Sequence, residues 1–261
     1  MSKIAILTDS SCDIPQEMAE KYGIDIMSFH ILLDNVDYVE RESCTNTEFY
    51  DKMRAAKGVP STAAITPIQF CEKYCQYVDE GYTDVIHVPI NKSGSSTYNN
   101  ALMAQGMLRE ERPEHHLKIH LLDPHTYSMV FGWYLCEMAR KLKNGAEISH
   151  VIREFEKQMD CMEIVLGPYS LKQMKKSGRI SAAAAVMGEL MGIRPIAGGI
   201  GIFLPDGQQL PRVPGFKGVP HHLHDGKTGS SLSRSISMVF SYSASGSASK
   251  NTGSRWLRPL R

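Results

Sequence analysis

The sequence predicts an α/β fold built on a parallel sheet with helices on both faces. Three observations carry that expectation. Short apolar runs of strand length alternate with stretches of helical period through the first 206 residues. Capping residues, prolines and glycines sit at the boundaries between those stretches. Polar clusters then fall just past the ends of strand-like runs, at Thr8–Ser11, at 91–97 and at Asp123, where ligands collect in open parallel sheets.

Taken in order, residues 3–8 (KIAILT) read as the first strand, with Asp13 as a helix cap before Pro15. Residues 26–33 (IMSFHILL) read as a second strand. A helix is predicted over 66–80, with Thr66 as cap, Pro67 in the first turn, and Phe70, Tyr74 and Val78 four apart. The strand-like stretch 84–89 leads through the Ser/Gly/Thr loop 91–97 into a helix that runs to about 110. Residues 118–123 form a strand, and a long helix starts near 126. It stops at Asn144-Gly145 with lysines in its last turn. A helix over 147–159 and a strand over 162–167 (MEIVLG) follow. The helix from 126 is apolar around more than one face, which suits a buried helix or the wall of an apolar cavity.

Composition excludes several classes. At 261 residues the length allows one large domain or two modest ones, and a mean hydropathy of -0.25 is ordinary for a globular protein. No apolar run is long enough to span a bilayer. The amino terminus lacks a signal-peptide pattern. Six cysteines without a C-x-x-C pair point to reduced thiols in a cytoplasmic protein, with no disulfide scaffold and no metal site. A net charge of +1 gives no general field for nucleic acid.

That balance conceals an asymmetry. Residues 1–206 hold 27 acidic and 21 basic side chains; residues 207–261 hold one acid, Asp225, and eight bases. Eleven of those last 55 residues are serine, and only 236–240 (ISMVF) is densely hydrophobic. The tail 207–261 is therefore expected to be disordered or out of frame. Its His221-His222-x-His224-Asp225 cluster is read as fortuitous, because fixed ligand geometry is not expected there.

Among the candidates for chemistry, the loop Asn91–Tyr98 gathers hydroxyls, a glycine and a helix N-terminus, the ingredients for holding a carboxylate or phosphate. A plain Ser/Thr-capped helix fits the same residues. In Pro60-Ser61-Thr62-Ala63-Ala64-Ile65-Thr66-Pro67, Thr66 starts a helix, which leaves Ser61 and Thr62 as ligand candidates. Arg179, in Ser177-Gly178-Arg179, could grip an anion with two parallel hydrogen bonds, although a surface arginine is the commoner case. Asp9 is read as structural, since no second carboxylate stands at a useful spacing. No S-x-x-K or G-x-S-x-G nucleophile motif occurs.

Four stretches together resemble the DegV family of bacterial lipid-binding proteins. Thr8-Asp9-Ser10-Ser11-Cys12-Asp13-Ile14-Pro15 is similar to the family's T-D-S-x-x-D-[LI]-P. Pro60–Pro67 with Phe70 resembles P-x-T-S-x-P-S-P-x-x-F, and Ser95-Ser96-Thr97-Tyr98-Asn99-Asn100-Ala101 resembles S-G-T-Y-Q-S-A. Leu171 through Ile180, with Ile193-Arg194-Pro195-Ile196, resembles L-x-x-L-x-x-G-G-R-I and I-K-P-I. The four are in register across roughly 200 residues, a specific match.

The resemblance implies a two-domain α/β protein: an N-terminal domain over 1–160, and a second, smaller domain that starts over 161–206 and is incomplete. It implies a long-chain fatty acid as ligand in an apolar tunnel, with its carboxylate held by Thr62, Ser95, Ser96 and Arg179. It also implies a fatty acid kinase subunit as partner, no cofactor, and no chemistry by the carrier itself. Ala63, Ile65 and Ser96 depart from the family's serine, proline and glycine. Beyond 206 the family's K-V-R-T strand and G-x-H-x-G-P-G loop have no counterpart. Two other readings stand beside the carrier: an α/β enzyme acting on a small carboxylated or phosphorylated substrate, and a truncated product without function.

Overall fold

The computed structural model describes residues 2–166 and the segments 196–198, 201–203 and 237–240. The first apolar run becomes strand β1 (Ile4–Asp9), whose side chains alternate between two cores as the pleat requires. Ala5 and Leu7 enter one, and Ile6 enters the other. Helix α1 (Gln16–Tyr22) carries the chain to β2 (Ile24–Met27), which pairs with β1 in parallel.

The single strand expected over 26–33 is two strands in two sheets. Phe29 is buried, and its N–H turns from the ladder to the Ser10 hydroxyl at 3.0 Å. After that turn, β3 (His30–Leu33) and β4 (Val36–Val39) form a hairpin. Asp34 and Asn35 both have positive φ, 48° and 65°, as a primed two-residue turn requires. Helix α2 (Asn46–Ala55) opens on a capping box of Thr45 and Glu48. β5 (Ser61–Ala63) then pairs with β3, with Thr62 opposite Ile31.

Helix α3 (Pro67–Asp79) starts where its sequence placed it, with a Thr66–Gln69 capping box and Pro67 in the first turn. Strand β6 (Asp84–Val88), helix α4 (Thr97–Glu111), strand β7 (Lys118–Leu121), and helices α5 (Met129–Lys143) and α6 (Ile148–Asp160) follow, close to their expected spans. After α5, the Gly145 N–H reaches the Leu142 carbonyl and the Ala146 N–H reaches that of Lys141. Gly145 has φ +85°, so a residue without Cβ closes the helix at low cost. Asp13 does not cap α1. It lies in the left-handed region at the end of a single 3-10 turn (Ser10–Cys12), because that turn is capped by Asp9, and its own side chain accepts from the Ser128 hydroxyl.

The main sheet has the order β2-β1-β6-β7, all parallel. Helices α1, α5 and α6 cover the Ile6 face, where Ile86, Phe131, Leu135, Val151 and Phe155 are buried. Helices α3 and α4 cover the other face, over Leu7, Val85, Phe70, Tyr74 and Leu108. His87 lies fully buried in that second core, hydrogen-bonded at Nδ1 to the Tyr74 hydroxyl at 2.7 Å. Burial pushes its imidazole down to about 3, so it stays neutral.

β8 (Glu163–Leu166), expected as a strand over 162–167, joins a separate mixed sheet. It pairs antiparallel with β9 (Ile196–Gly198), which pairs with β10 (Gly201–Phe203), and parallel with β11 (Ser237–Phe240). β11 coincides with the hydrophobic stretch of the tail; the rest of the tail lies outside the described residues. All six cysteines are free thiols. Among the described residues no helix is long and apolar enough to cross a membrane.

Helix α5 crosses the 3-10 turn so closely that a Cβ on Gly132 would overlap the Cys12 carbonyl oxygen. Backbone cannot yield there as a flexible side chain can. Gly132→Ala is therefore expected to lower stability by about 1–3 kcal/mol, measured by urea unfolding, whereas Gly106→Ala, which meets nothing, should not.

Candidate functional site

The chain runs from β1 outward to β2, then returns across β1 to build β6 and β7. The β1–β6 boundary is thus the point where the winding reverses, and the crevice past its carboxyl ends is where such sheets hold ligands. Thr8 and Asp9 close that boundary. The Thr8 hydroxyl donates to the Val88 carbonyl at 2.7 Å. The Asp9 carboxylate accepts the Ile90 N–H at 2.6 Å, and the Ser11 N–H and hydroxyl at 3.1 and 2.5 Å. Asp9 is fully buried and committed to backbone and turn.

The loop between β6 and α4 is shaped from within. Asn91 Oδ1 accepts the N–H and hydroxyl of Ser93 at 2.9 and 2.8 Å. Asp123, at the end of the β7 segment, accepts the Lys92 N–H and pairs with Lys92 Nζ at 3.3 Å and His125 Nδ1 at 3.2 Å. Tyr127 lies against Gly94 so tightly that a Cβ at residue 94 would overlap its hydroxyl. The loops after β1, β6 and β7 are joined, since the Ser128 N–H also reaches the Ser11 carbonyl at 3.0 Å.

Of the residues singled out in the sequence, Ser95 is half-buried and shares a 2.8 Å hydrogen bond with Thr97. Ser96 is exposed at the start of α4 and makes no capping bond. Thr62 is exposed on β5. Asn100, one turn into α4, donates from Nδ2 to the Ile65 carbonyl at 2.7 Å. The segment that carries Thr62 therefore leaves β5 beside the helix that Ser95 and Ser96 open. Arg179 lies outside the described residues. Sequence reasoning missed Asn100 and Tyr127; only the glycine at 94 hints at close approach.

Capping boxes close the starts of α2 and α3. At α4 the N-cap Ser96 makes no side-chain hydrogen bond, as at the starts of α1, α5 and α6, and the Thr97 N–H is taken by the Ser95 hydroxyl at 3.3 Å. The remaining first-turn N–H groups of α4 and its helix dipole face the same edge as the hydroxyls, a setting that favours an anion. Ile68, Leu102 and Met103, near the starts of α3 and α4, are each more than half exposed. An apolar surface thus lies on the two helices that start at the polar edge.

Comparison with known proteins gives a consistent answer. The family model described as "Uncharacterised protein, DegV family" matches residues 3–199. A DegV domain-containing protein of Clostridium perfringens is 28% identical over 193 residues, 74% of this chain and 67% of its own. A fatty-acid-binding DegV family protein from Thermus thermophilus is similar in structure, with a TM-score of 0.62 and 25% identity over 74% of this chain and 66% of that one. A fatty-acid-binding DegV family protein from Streptococcus agalactiae matches in fold, with a TM-score of 0.67 and 24% identity over 80% and 73% of the two chains. The match to the Clostridium and Thermus proteins spans about two thirds of their length.

The buried carboxylate gives this edge a pH signature. Burial outweighs the donors from Ser11 and Ile90 and raises Asp9 from 3.8 to about 6. The folded protein then keeps a proton that the unfolded chain releases between those values. The Asp9 contribution is full below pH 3.8 and falls, by about 3 kcal/mol, as pH rises through about 6. His87 acts in the opposite sense but is common to wild type and an Asp9 variant. The stability gap between wild type and Asp9→Asn should therefore narrow by about 2 kcal/mol from pH 4 to 7, followed by urea unfolding; a constant gap would contradict the assignment.

Proposed function

The chain belongs to the DegV family, and on that footing we propose that it is a carrier that binds a long-chain fatty acid and performs no chemistry on it. The carboxylate is held at the β1–β6 edge by the hydroxyls of Thr62, Ser95 and Ser96, with Arg179 toward the head group. The acyl chain lies in an apolar tunnel between this domain and the second. The carrier presents the carboxylate to a fatty acid kinase subunit.

One observation carries the reading: hydroxyls, a helix start whose N-cap Ser96 makes no capping bond, and exposed apolar side chains share one edge of the sheet. Each part suits one part of an amphiphile. A carboxylate gains charge-assisted hydrogen bonds from hydroxyls and first-turn N–H groups. The chain gains about 0.8 kcal/mol for each buried methylene, so affinity comes from length and few polar contacts are needed. His87, the histidine on the strand that leads to the loop, is sealed in the core and neutral. It is no base for the hydroxyls at the edge. Fatty acid binding is described for the similar DegV family protein from Thermus thermophilus.

Replacing Thr62 by Val together with Ser95 by Ala removes two hydrogen bonds to a charged group. Fatty acid binding, measured by titration calorimetry, should weaken by about 3 kcal/mol, or roughly a hundredfold in Kd. A double variant that folds and binds as tightly as wild type would remove the head-group assignment.

A further inference from the structure

Away from that edge, helices α3 and α4 bring together three groups whose chemistry lipid binding does not use. Cys71 and Cys75 stand four residues apart on α3, on one face of the helix. Glu111 is the last residue of α4. The Cys71 sulfur lies 3.6 Å from Glu111 Oε2, and the three ligand atoms all lie within 4.8 Å of one another. Because α4 starts at the carboxyl edge of the sheet and runs back along it, its last residue lies at the opposite end.

Apolar packing accounts for two buried cysteines, and in the metal-free protein the Cys71 S–H donates to the Glu111 carboxylate. Cys12, also buried, packs in the other core and accepts the Ile14 N–H at 3.5 Å. Beside Cys71 and Cys75 the carboxylate of an exposed residue is folded over the sulfurs. For bond lengths of about 2.3 Å to sulfur and 2.0–2.2 Å to oxygen, two ligands of a tetrahedral zinc ion stand about 3.5 Å apart. The observed 3.6 Å separation matches that edge.

We propose that Cys71, Cys75 and Glu111 form a binding site for one zinc-class divalent cation, with three protein ligands and a fourth position open to solvent. Two thiolates with one carboxylate select this class, since magnesium and calcium prefer all-oxygen sets. The i, i+4 spacing lets one helix supply two ligands without distortion, and the third clamps the end of α4 to α3. On binding, each S–H bond breaks as a sulfur–metal bond forms, and both protons pass to solvent. Nothing is oxidised or reduced.

The test uses the full chain under reducing conditions with Co²⁺ alone, followed by displacement with Zn²⁺. Wild type should take up a single Co²⁺ with a thiolate-to-cobalt charge-transfer band, and Zn²⁺ should erase it. The band should vanish in Cys71→Ser and Cys75→Ser and survive in Cys44→Ser/Cys161→Ser. Glu111→Gln, an exposed change that leaves the fold intact by circular dichroism, should weaken Zn²⁺ binding about tenfold or more. A band of equal strength and affinity in Cys71→Ser/Cys75→Ser, no band in folded wild type, or unchanged affinity in Glu111→Gln would each overturn the site.

Discussion

A single buried carboxylate organises the working edge of this protein. Asp9 ends β1 and accepts from Ile90, just past the end of β6 and 81 residues away in sequence. It fastens together the two strands between which the winding reverses, and it caps the turn that carries Ser10 and Ser11. Ser10 in turn receives the Phe29 N–H and donates to Glu40, which sets where the chain leaves the main sheet for the hairpin. Without that carboxylate, the Ile90 N–H would be left without its partner, and the loop that carries Ser95 and Ser96 would lose its anchor. Such a group costs far more to strand than its hydrogen bonds contribute.

From that anchor the site builds outward. Capping boxes at Thr45–Glu48 and Thr66–Gln69 close α2 and α3. Helix α4 has no such box, and its start is shaped by Ser95 and by Asn91, Asp123 and Tyr127 from the surrounding loops. An edge built so, beside exposed apolar side chains on α3 and α4, suits a ligand with one anionic end and a long apolar body. The far end of α4, against the middle of α3, gathers sulfur and carboxylate.

Much of this was legible in the residues. Strands β1, β6 and β7 and helices α3 to α6 are marked by local period and by caps such as Thr66 and Gly145. The apolar run 26–33 announces strand but cannot announce a change of sheet, because the break at Phe29 depends on Ser10, 19 residues earlier. β5 is exposed along its length and short of apolar pattern, so its strand state comes only from pairing with β3. The turn at Asp34-Asn35 and the box at Thr45–Glu48 were local signals within reach. Thr62 stands out in the sequence as a hydroxyl without structural duty, whereas the roles proposed for Ser95 and Ser96 come from the motif they share with the family. The Cys71–Cys75–Glu111 cluster needed the helix pair, since Glu111 is 40 residues from Cys71.

The account rests most directly on what the protein carries. Purified, folded protein can be denatured and extracted into organic solvent, and the extract analysed by mass spectrometry. A long-chain fatty acid in stoichiometric amount is the predicted result. A folded protein whose extract is empty, and which takes up no fatty acid when it is supplied, would contradict the account.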